Sequence, residues 1–137
     1  LIDYLRNRAR SYIFDTSLPA SCLAASLTAI NIIENEPGRR DNLWSLVNVF
    51  KSGLEEIGLR VLPSHSPIVP VLIGEAGQTL RFASILRDHG IYTPAVRPPS
   101  VPDGMSRIRA TLMATHSPVH IDRALSAFGQ AYRDVLK

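Results

Sequence analysis

From residue 38 onward, helix-like and strand-like patterns alternate in an order that restricts the fold more than any other feature of the sequence. Apolar residues recur every three or four positions over 40–57, 78–89 and from 117 onward, which predicts helices there. Strand-like runs are predicted over 59–62, 68–73, 91–97 and 107–113. The order α-β-β-α-β-β-α predicts an α+β domain, with helices on one face of a mainly antiparallel sheet. Pro70 within the second run predicts an edge strand or a strand start.

Two further helices are predicted before this domain, over 1–11 and 19–35. A stop signal follows at Glu34–Gly38 and marks the best boundary in the chain. We therefore expect segments 1–36 and 37–137 to belong to different domains. The chain begins at Leu1 inside an amphipathic pattern, which indicates a piece of something longer.

Composition excludes several classes of protein. The 137 residues are 45% hydrophobic and 20% charged, as in a globular chain with a core. No apolar run approaches the roughly 20 residues of a membrane span, so no membrane partner is expected. The net charge of +3 comes from scattered arginines without interleaved aromatic residues, which argues against a nucleic-acid partner.

The single cysteine, Cys22, has no internal disulfide partner, which predicts a reducing compartment such as the cytoplasm. It lies among small apolar residues and is interpreted as inert core. His116 and His120 have a spacing that binds metals on a helix, but the predicted helix start at Ser117 lies between them. We expect the two rings not to share a face, and we predict no metal site.

Arg107 and Arg109 lie two apart on the last predicted strand, so their side chains share one face of the sheet. The preceding loop contains Pro98, Pro99 and Pro102, which make it stiff. An arginine beside such a loop can bind a carboxylate through two parallel hydrogen bonds. Both arginines could instead be solvated or paired with acidic residues, and the loop could be only an inflexible link.

A turn at Asp15–Ser17 precedes the second predicted helix. Its hydroxyls and backbone N–H groups could hold a phosphate. An ordinary capping turn is the alternative.

Long ordered motifs give the chain a family resemblance. Ser11–Pro19, with the sequence Ser-Tyr-Ile-Phe-Asp-Thr-Ser-Leu-Pro, is similar to a stretch of the α-oxoamine synthases. Ser66–Val71 resembles a strand of their small domain, and Ala95–Leu112 resembles their Arg-Pro-Pro-Thr-Val-Pro loop with the Arg-x-Arg strand after it. The resemblance implies pyridoxal 5′-phosphate (PLP) enzymes of the aspartate-aminotransferase fold. Residues 1–36 would then be the last helices of the large cofactor-binding domain, and 37–137 the small carboxyl-terminal domain.

The resemblance also implies an activity. The Arg-Pro-Pro-Ser-Val-Pro run is similar to that of members which condense L-alanine with a pimeloyl thioester, carried by CoA or an acyl carrier protein, in biotin biosynthesis. Arg109 matches the arginine that holds the amino-acid carboxylate, and Ser100 a loop hydroxyl near the substrate. Thr16 matches the hydroxyl that reaches the cofactor phosphate of the partner subunit in a homodimer. Asp15 departs from the family, which has Ser or Thr at that position.

The family's cofactor-bearing lysine would lie shortly before Leu1. The lysines of this chain, Lys51 and Lys137, lie in a long amphipathic helix and at the end of the sequence. Neither fits a buried imine, so we predict no catalytic residue here and no activity of these residues alone. Two alternatives stay open: an α-oxoamine synthase for another amino acid and acyl thioester, and a non-catalytic binding module of the same fold.

Overall fold

The computed structural model describes residues 1–14 and 16–137, so Asp15 and its departure from the family lie outside the described residues. The chain divides into two compact units, Leu1–Pro37 and Gly38–Lys137. The helices are α1 (Ile2–Arg8), α2 (Arg10–Ile13), α3 (Ala20–Asn35), α4 (Gly38–Ile57), α5 (Ala76–Asp88) and α6 (Pro118–Val135). The strands are β1 (Arg60–Val61), β2 (Ile68–Gly74), β3 (Ala95–Val96) and β4 (Ser106–Thr111).

The first unit is helical and has no buried residue in α1, α2 or α3. The single helix predicted over 1–11 is instead two short helices, because Ala9 has the extended backbone angles φ −77° and ψ 102°. Alanine is the strongest helix former, so its residue type does not predict this break. The helix predicted over 19–35 is confirmed as α3, which begins directly after Pro19.

The apolar stripe of α3 is exposed: Leu23, Leu27, Ile30 and Ile33 show 52% to 62% of their surface. Cys22 is exposed as well, so its interpretation as a core residue is wrong. The reason is that α3 buries none of its residues, and therefore offers no core around a thiol. Within the described ranges, no helix is long and apolar enough to cross a membrane.

The second unit is the predicted α+β domain, and its fold class is confirmed. Its four-stranded sheet has the order β1-β2-β4-β3, and every neighbouring pair is antiparallel. Helix α5 packs on β2, β3 and β4, α4 contacts β1, and α6 packs against α4 and α5. Alternate residues of β2 and β4 point towards these helices and are buried, namely Val69, Val71, Ile108 and Ala110.

Three phenylalanine rings join the helices above the sheet. The ring of Phe128 lies 5.5 Å from that of Phe50 in an edge-to-face arrangement and 5.6 Å from that of Phe82. All three residues are at most 2% exposed. Aromatic pairs of this geometry contribute more than their buried area alone, so the rings fix the packing of α4, α5 and α6.

The prediction that Pro70 marks an edge or a strand start is wrong, because β2 lies inside the sheet. Regular pairing with β1 ends at Val61, opposite Val71. The next residue, Leu62, donates its N–H to the Pro70 carbonyl at 2.9 Å. In an antiparallel sheet such a pair normally exchanges two hydrogen bonds, and proline has no N–H for the second. Pro70 is therefore tolerated where the short strand β1 leaves the sheet.

Prolines also shorten β3. The run predicted over 91–97 forms regular pairs only at Ala95–Val96, between Pro94 and Pro98. Pro94 still takes part through its carbonyl, which accepts the Arg109 N–H at 3.0 Å. Pro94 and Pro98 have no N–H to continue the ladder, which limits the strand on both sides.

Helix α5 begins two residues earlier than predicted because Glu75 caps it. The Glu75 side chain accepts the Gln78 N–H at 2.7 Å. Backbone N–H groups of Gly77 and then Gln78 lower the pKa of the Glu75 carboxyl below its ordinary value of 4.5. A carboxylate at this helix end therefore stabilises the start of α5.

Candidate functional site

The open face of the sheet carries the residues that the sequence singled out. On β4, Arg107, Arg109 and Thr111 alternate with Ile108 and Ala110, which are buried against the helices. Because side chains of a strand alternate between faces, both guanidinium groups lie on the face opposite the helices of the second unit. Their neighbours across the sheet include Leu72 and Pro70 of β2.

Arg109 is exposed. Its backbone N–H donates to the Pro94 carbonyl, but among residues 1–14 and 16–137 its side chain has neither a hydrogen bond nor an ion pair. The alternative that it pairs with an acidic residue of the described chain is therefore wrong. A guanidinium has five N–H donors in a planar fork, which suits a carboxylate.

Arg107 differs from Arg109 although it lies on the same face. It is half-buried, and its Nε donates to the Met105 carbonyl at 3.0 Å. Its guanidinium is thus tied to the end of the preceding loop. The spacing in the sequence predicted the shared face of the two arginines but not this difference, which depends on the course of the loop.

The loop over 97–105 connects β3 to β4 and is held by local turns. The Ser100 N–H donates to the Arg97 carbonyl at 3.0 Å, and the Met105 N–H to the Pro102 carbonyl at 3.1 Å. Gly104 has φ +74°, a backbone conformation that favours glycine. Ser100 is exposed on this loop, in the same unit as Arg109.

Thr16 lies in the other unit, in the segment between α2 and α3, and it is exposed. The structure therefore places two of the candidate residues, Arg109 and Ser100, in one compact unit and Thr16 in the other.

The lysines have surroundings unlike those of a cofactor-bearing residue. Lys51 donates from Nζ to the Ser64 carbonyl at 3.1 Å. The Nζ of Lys137 lies 5.4 Å from the centroid of the Tyr132 ring, at the end of the chain. Neither lysine is buried.

The two histidines of the i, i+4 pair meet, contrary to the expectation from the helix start between them. Their ring centroids are 5.8 Å apart. His116 Nδ1 accepts the Met113 N–H at 3.3 Å, and His120 Nδ1 accepts the Ser117 N–H at 3.1 Å. Each ring thus folds back to accept the backbone N–H three residues before it. Among the described residues, no group of three or more His, Cys, Asp or Glu side chains could hold a metal ion.

A cavity of about 410 Å³ in the second unit is lined by Ala110 and Thr111 at the end of β4. It opens between Gly90–Thr93 and α6, with Phe50, Leu112 and Phe128 in its wall. The Thr93 Oγ1 beside it is buried without a hydrogen-bond partner in the described chain. Neither Arg109 nor Ser100 lines this cavity.

Known proteins match almost the whole chain. The family model described as aminotransferase class I and II matches residues 1–128. An 8-amino-7-oxononanoate synthase of Geotalea daltonii is 46% identical over 135 residues, which are 97% of this chain and 34% of that protein. An 8-amino-7-oxononanoate synthase of Pseudomonas savastanoi is 42% identical over 96% of this chain and 33% of its own length.

A solved serine palmitoyltransferase from S. paucimobilis, with a bound PLP–myriocin aldimine, has a TM-score of 0.83 and 32% identity. The alignment covers 97% of this chain and 34% of that one. This chain therefore spans about a third of the length of the proteins it matches. The resemblance predicted from the motifs is confirmed, and the chain belongs to the aminotransferase class I and II family.

Proposed function

We propose that this chain is the carboxyl-terminal part of a homodimeric, PLP-dependent 8-amino-7-oxononanoate synthase. That enzyme would condense L-alanine with pimeloyl-CoA or a pimeloyl-carrier protein, with loss of CO2, in biotin biosynthesis. The observation that carries the proposal is 46% identity to such a synthase over 97% of the chain. Residues 1–36 would belong to its large domain and 37–137 to its small domain, and the lone Cys22 suits a cytoplasmic enzyme.

The residues of this chain do not fit covalent attachment of the cofactor. Lys51 is engaged with the Ser64 carbonyl, and Lys137 lies against the Tyr132 ring at the end of the chain. When bound to an enzyme, PLP supplies an electron sink for carbanion chemistry. The lysine that holds it would belong to the two thirds of the enzyme outside these residues, which alone would be inactive.

Arg109 is the residue of this chain that would bind the amino acid. Its exposed side chain, without a partner in the described ranges, can give two parallel N–H···O bonds to the alanine carboxylate. These bonds would orient the amino acid and hold its charge while it reacts. Because the carboxyl group leaves as CO2, Arg109 must also tolerate loss of this partner.

Ser100 and Thr16 would have supporting roles. Ser100 is exposed on the loop that enters β4, where its hydroxyl can contact the substrate. Thr16 is exposed in the segment before α3, where its hydroxyl can donate to the cofactor phosphate of the partner subunit. Both assignments rest on the family motif and on accessible hydroxyl groups.

The second candidate is another α-oxoamine synthase that uses a different amino acid and acyl thioester. The fold similarity to serine palmitoyltransferase, at 32% identity, favours it. An arginine that binds an α-carboxylate serves glycine, serine and alanine equally, so Arg109 does not separate these candidates.

The deciding experiment is a substrate matrix with the full-length protein. Alanine, glycine and serine would each be combined with pimeloyl-CoA, pimeloyl-carrier protein and palmitoyl-CoA, and CO2 release would be measured. We expect turnover with alanine and a pimeloyl thioester. Preference for another pair would support the second candidate, and no turnover with any pair would support a non-catalytic module.

A further inference from the structure

We propose that Arg107 is a positioning residue, which fixes the loop over 97–105 so that Ser100 and Arg109 face the same amino acid. This inference rests on the proposed function. It starts from the difference between two arginines on one face: the Arg107 Nε is bound to the Met105 carbonyl, whereas the Arg109 side chain is exposed.

The contact lies where the loop enters the strand. Of the side-chain hydrogen bonds in the described ranges, the one that reaches residues 97–105 is that of Arg107 to Met105. The other hydrogen bonds of the loop are backbone turns, from Ser100 to Arg97 and from Met105 to Pro102. Met105 thus has its N–H bound within the loop and its carbonyl bound to Arg107, which couples the Pro102–Met105 turn to β4.

The sheet holds Arg107 in the orientation that this contact needs. β4 is an inner strand, and Arg107 is paired with Leu72 of β2 and Val96 of β3. All three residues are half-buried, so the apolar stem of Arg107 lies between apolar neighbours. Because Nε is the atom nearest the stem, its bond to Met105 also fixes the plane of the guanidinium.

Lysine cannot reproduce this arrangement fully. It has no donor at the Nε position, and its terminal ammonium must fold back to reach a carbonyl two residues earlier. It does keep the charge and the apolar stem. Arg107→Lys is therefore the conservative variant, and Arg107→Met removes the donor while keeping the stem.

The test compares Arg107→Met, Arg107→Lys and the matched control Arg109→Met in the full-length protein. Hydrogen exchange of the amides of residues 97–105 reports the loop, and separate kcat and KM values for amino acid and thioester report function. We expect Arg107→Met to speed exchange by about 3- to 10-fold, as expected for loss of one hydrogen bond. The KM for the amino acid should rise by a similar factor, with kcat and the thioester KM little changed.

Arg107→Lys should restore part of both effects, and Arg109→Met should leave exchange unchanged while lowering kcat/KM. Unchanged exchange in both Arg107 variants would overturn the proposal, even if activity fell, because any effect of Arg107 would then not act through the loop. Faster exchange without any change in KM would also overturn it. If the protein turns over none of the tested substrates, the proposed function fails, while the exchange data still decide whether Arg107 holds the loop.

Discussion

The two faces of the four-stranded sheet are made by alternate residues of the same strands, and they differ in burial and in charge. Towards the helices, Ile108 is 0% and Ala110 4% exposed, within a continuous apolar core. On the other face, Arg107 and Arg109 present guanidinium groups between neighbours such as Leu72 and Pro70. The covered face thus supplies stability, and the open face is available for recognition.

The difference between the two faces has its largest expected effect when aspartate is placed on each face in turn. Ile108→Asp would bury a carboxylate in the core and remove the isoleucine packing, at a cost on the order of 5 kcal/mol or more. We expect the second unit to lose cooperative thermal unfolding. Circular dichroism of the full-length protein would measure this. Arg109→Asp, one position along, should unfold almost like the parent, and equal damage from both variants would contradict the division of the two faces.

The open face is tested by removing the exposed guanidinium. Arg109→Ala should lower kcat/KM for the amino acid by an amount on the order of 2–5 kcal/mol, since a charge-assisted pair with the carboxylate is lost. This corresponds to about 30-fold or more. The unfolding midpoint should hardly change. Arg81→Ala, an exposed arginine on α5, is the control, and an equal kinetic loss there would remove Arg109 from the site.

The tightness of the covered side can be tested with a single methyl group. Gly58, after α4, has φ +99°, and a Cβ there would lie 2.9 Å from the Tyr132 hydroxyl oxygen. Gly58→Ala should lower the free energy of unfolding by about 1–2 kcal/mol from the left-handed backbone alone. Denaturant unfolding would show a smaller loss when the same change is made in Tyr132→Phe. Equal losses in both backgrounds would mean that the hydroxyl contact has no effect.

The smallest expected effect concerns Glu75, which caps the start of α5. Because the pKa of Glu75 is lowered in the folded chain, its carboxylate stabilises the fold above about pH 4.5, and this contribution is lost as the pH falls through the lowered value. Glu75→Ala should therefore lower the unfolding midpoint at neutral pH, and the difference should vanish in acid. A difference that stays constant across this pH range would contradict the role of the cap.

Much of the fold could be predicted from periodicity, because a long amphipathic pattern such as that of α4 fits a helix and not a strand. The errors have local causes. Pro70 predicts an edge strand or a strand start because proline cannot donate to the ladder, whereas in the structure it faces the point where β1 departs. The residue type at position 9 does not predict the break there, since alanine is a strong helix former, and Cys22 is exposed because α3 buries none of its residues.

The part of the site that could be predicted is the part set by the alternation of side chains between the two faces of β4. The spacing of Arg107 and Arg109 predicted their common face, and the family motif selected Arg109 and Ser100. What could not be predicted is that Arg107 turns back to Met105. That contact depends on how the proline-containing loop rejoins β4, which no pairwise spacing in the sequence encodes. For Thr16, the sequence offers only a motif match.

The alternation on β4 also links recognition to correct folding. If β4 paired with β2 one residue out of place, Arg107 and Arg109 would enter the phenylalanine-lined interior and Ile108 would face outward. Desolvating two unpaired cations makes such a misregistered chain strongly unfavourable. The arginine proposed to bind the amino acid therefore also disfavours a wrong register of β4. A chain that folds correctly already has this guanidinium on the outer face.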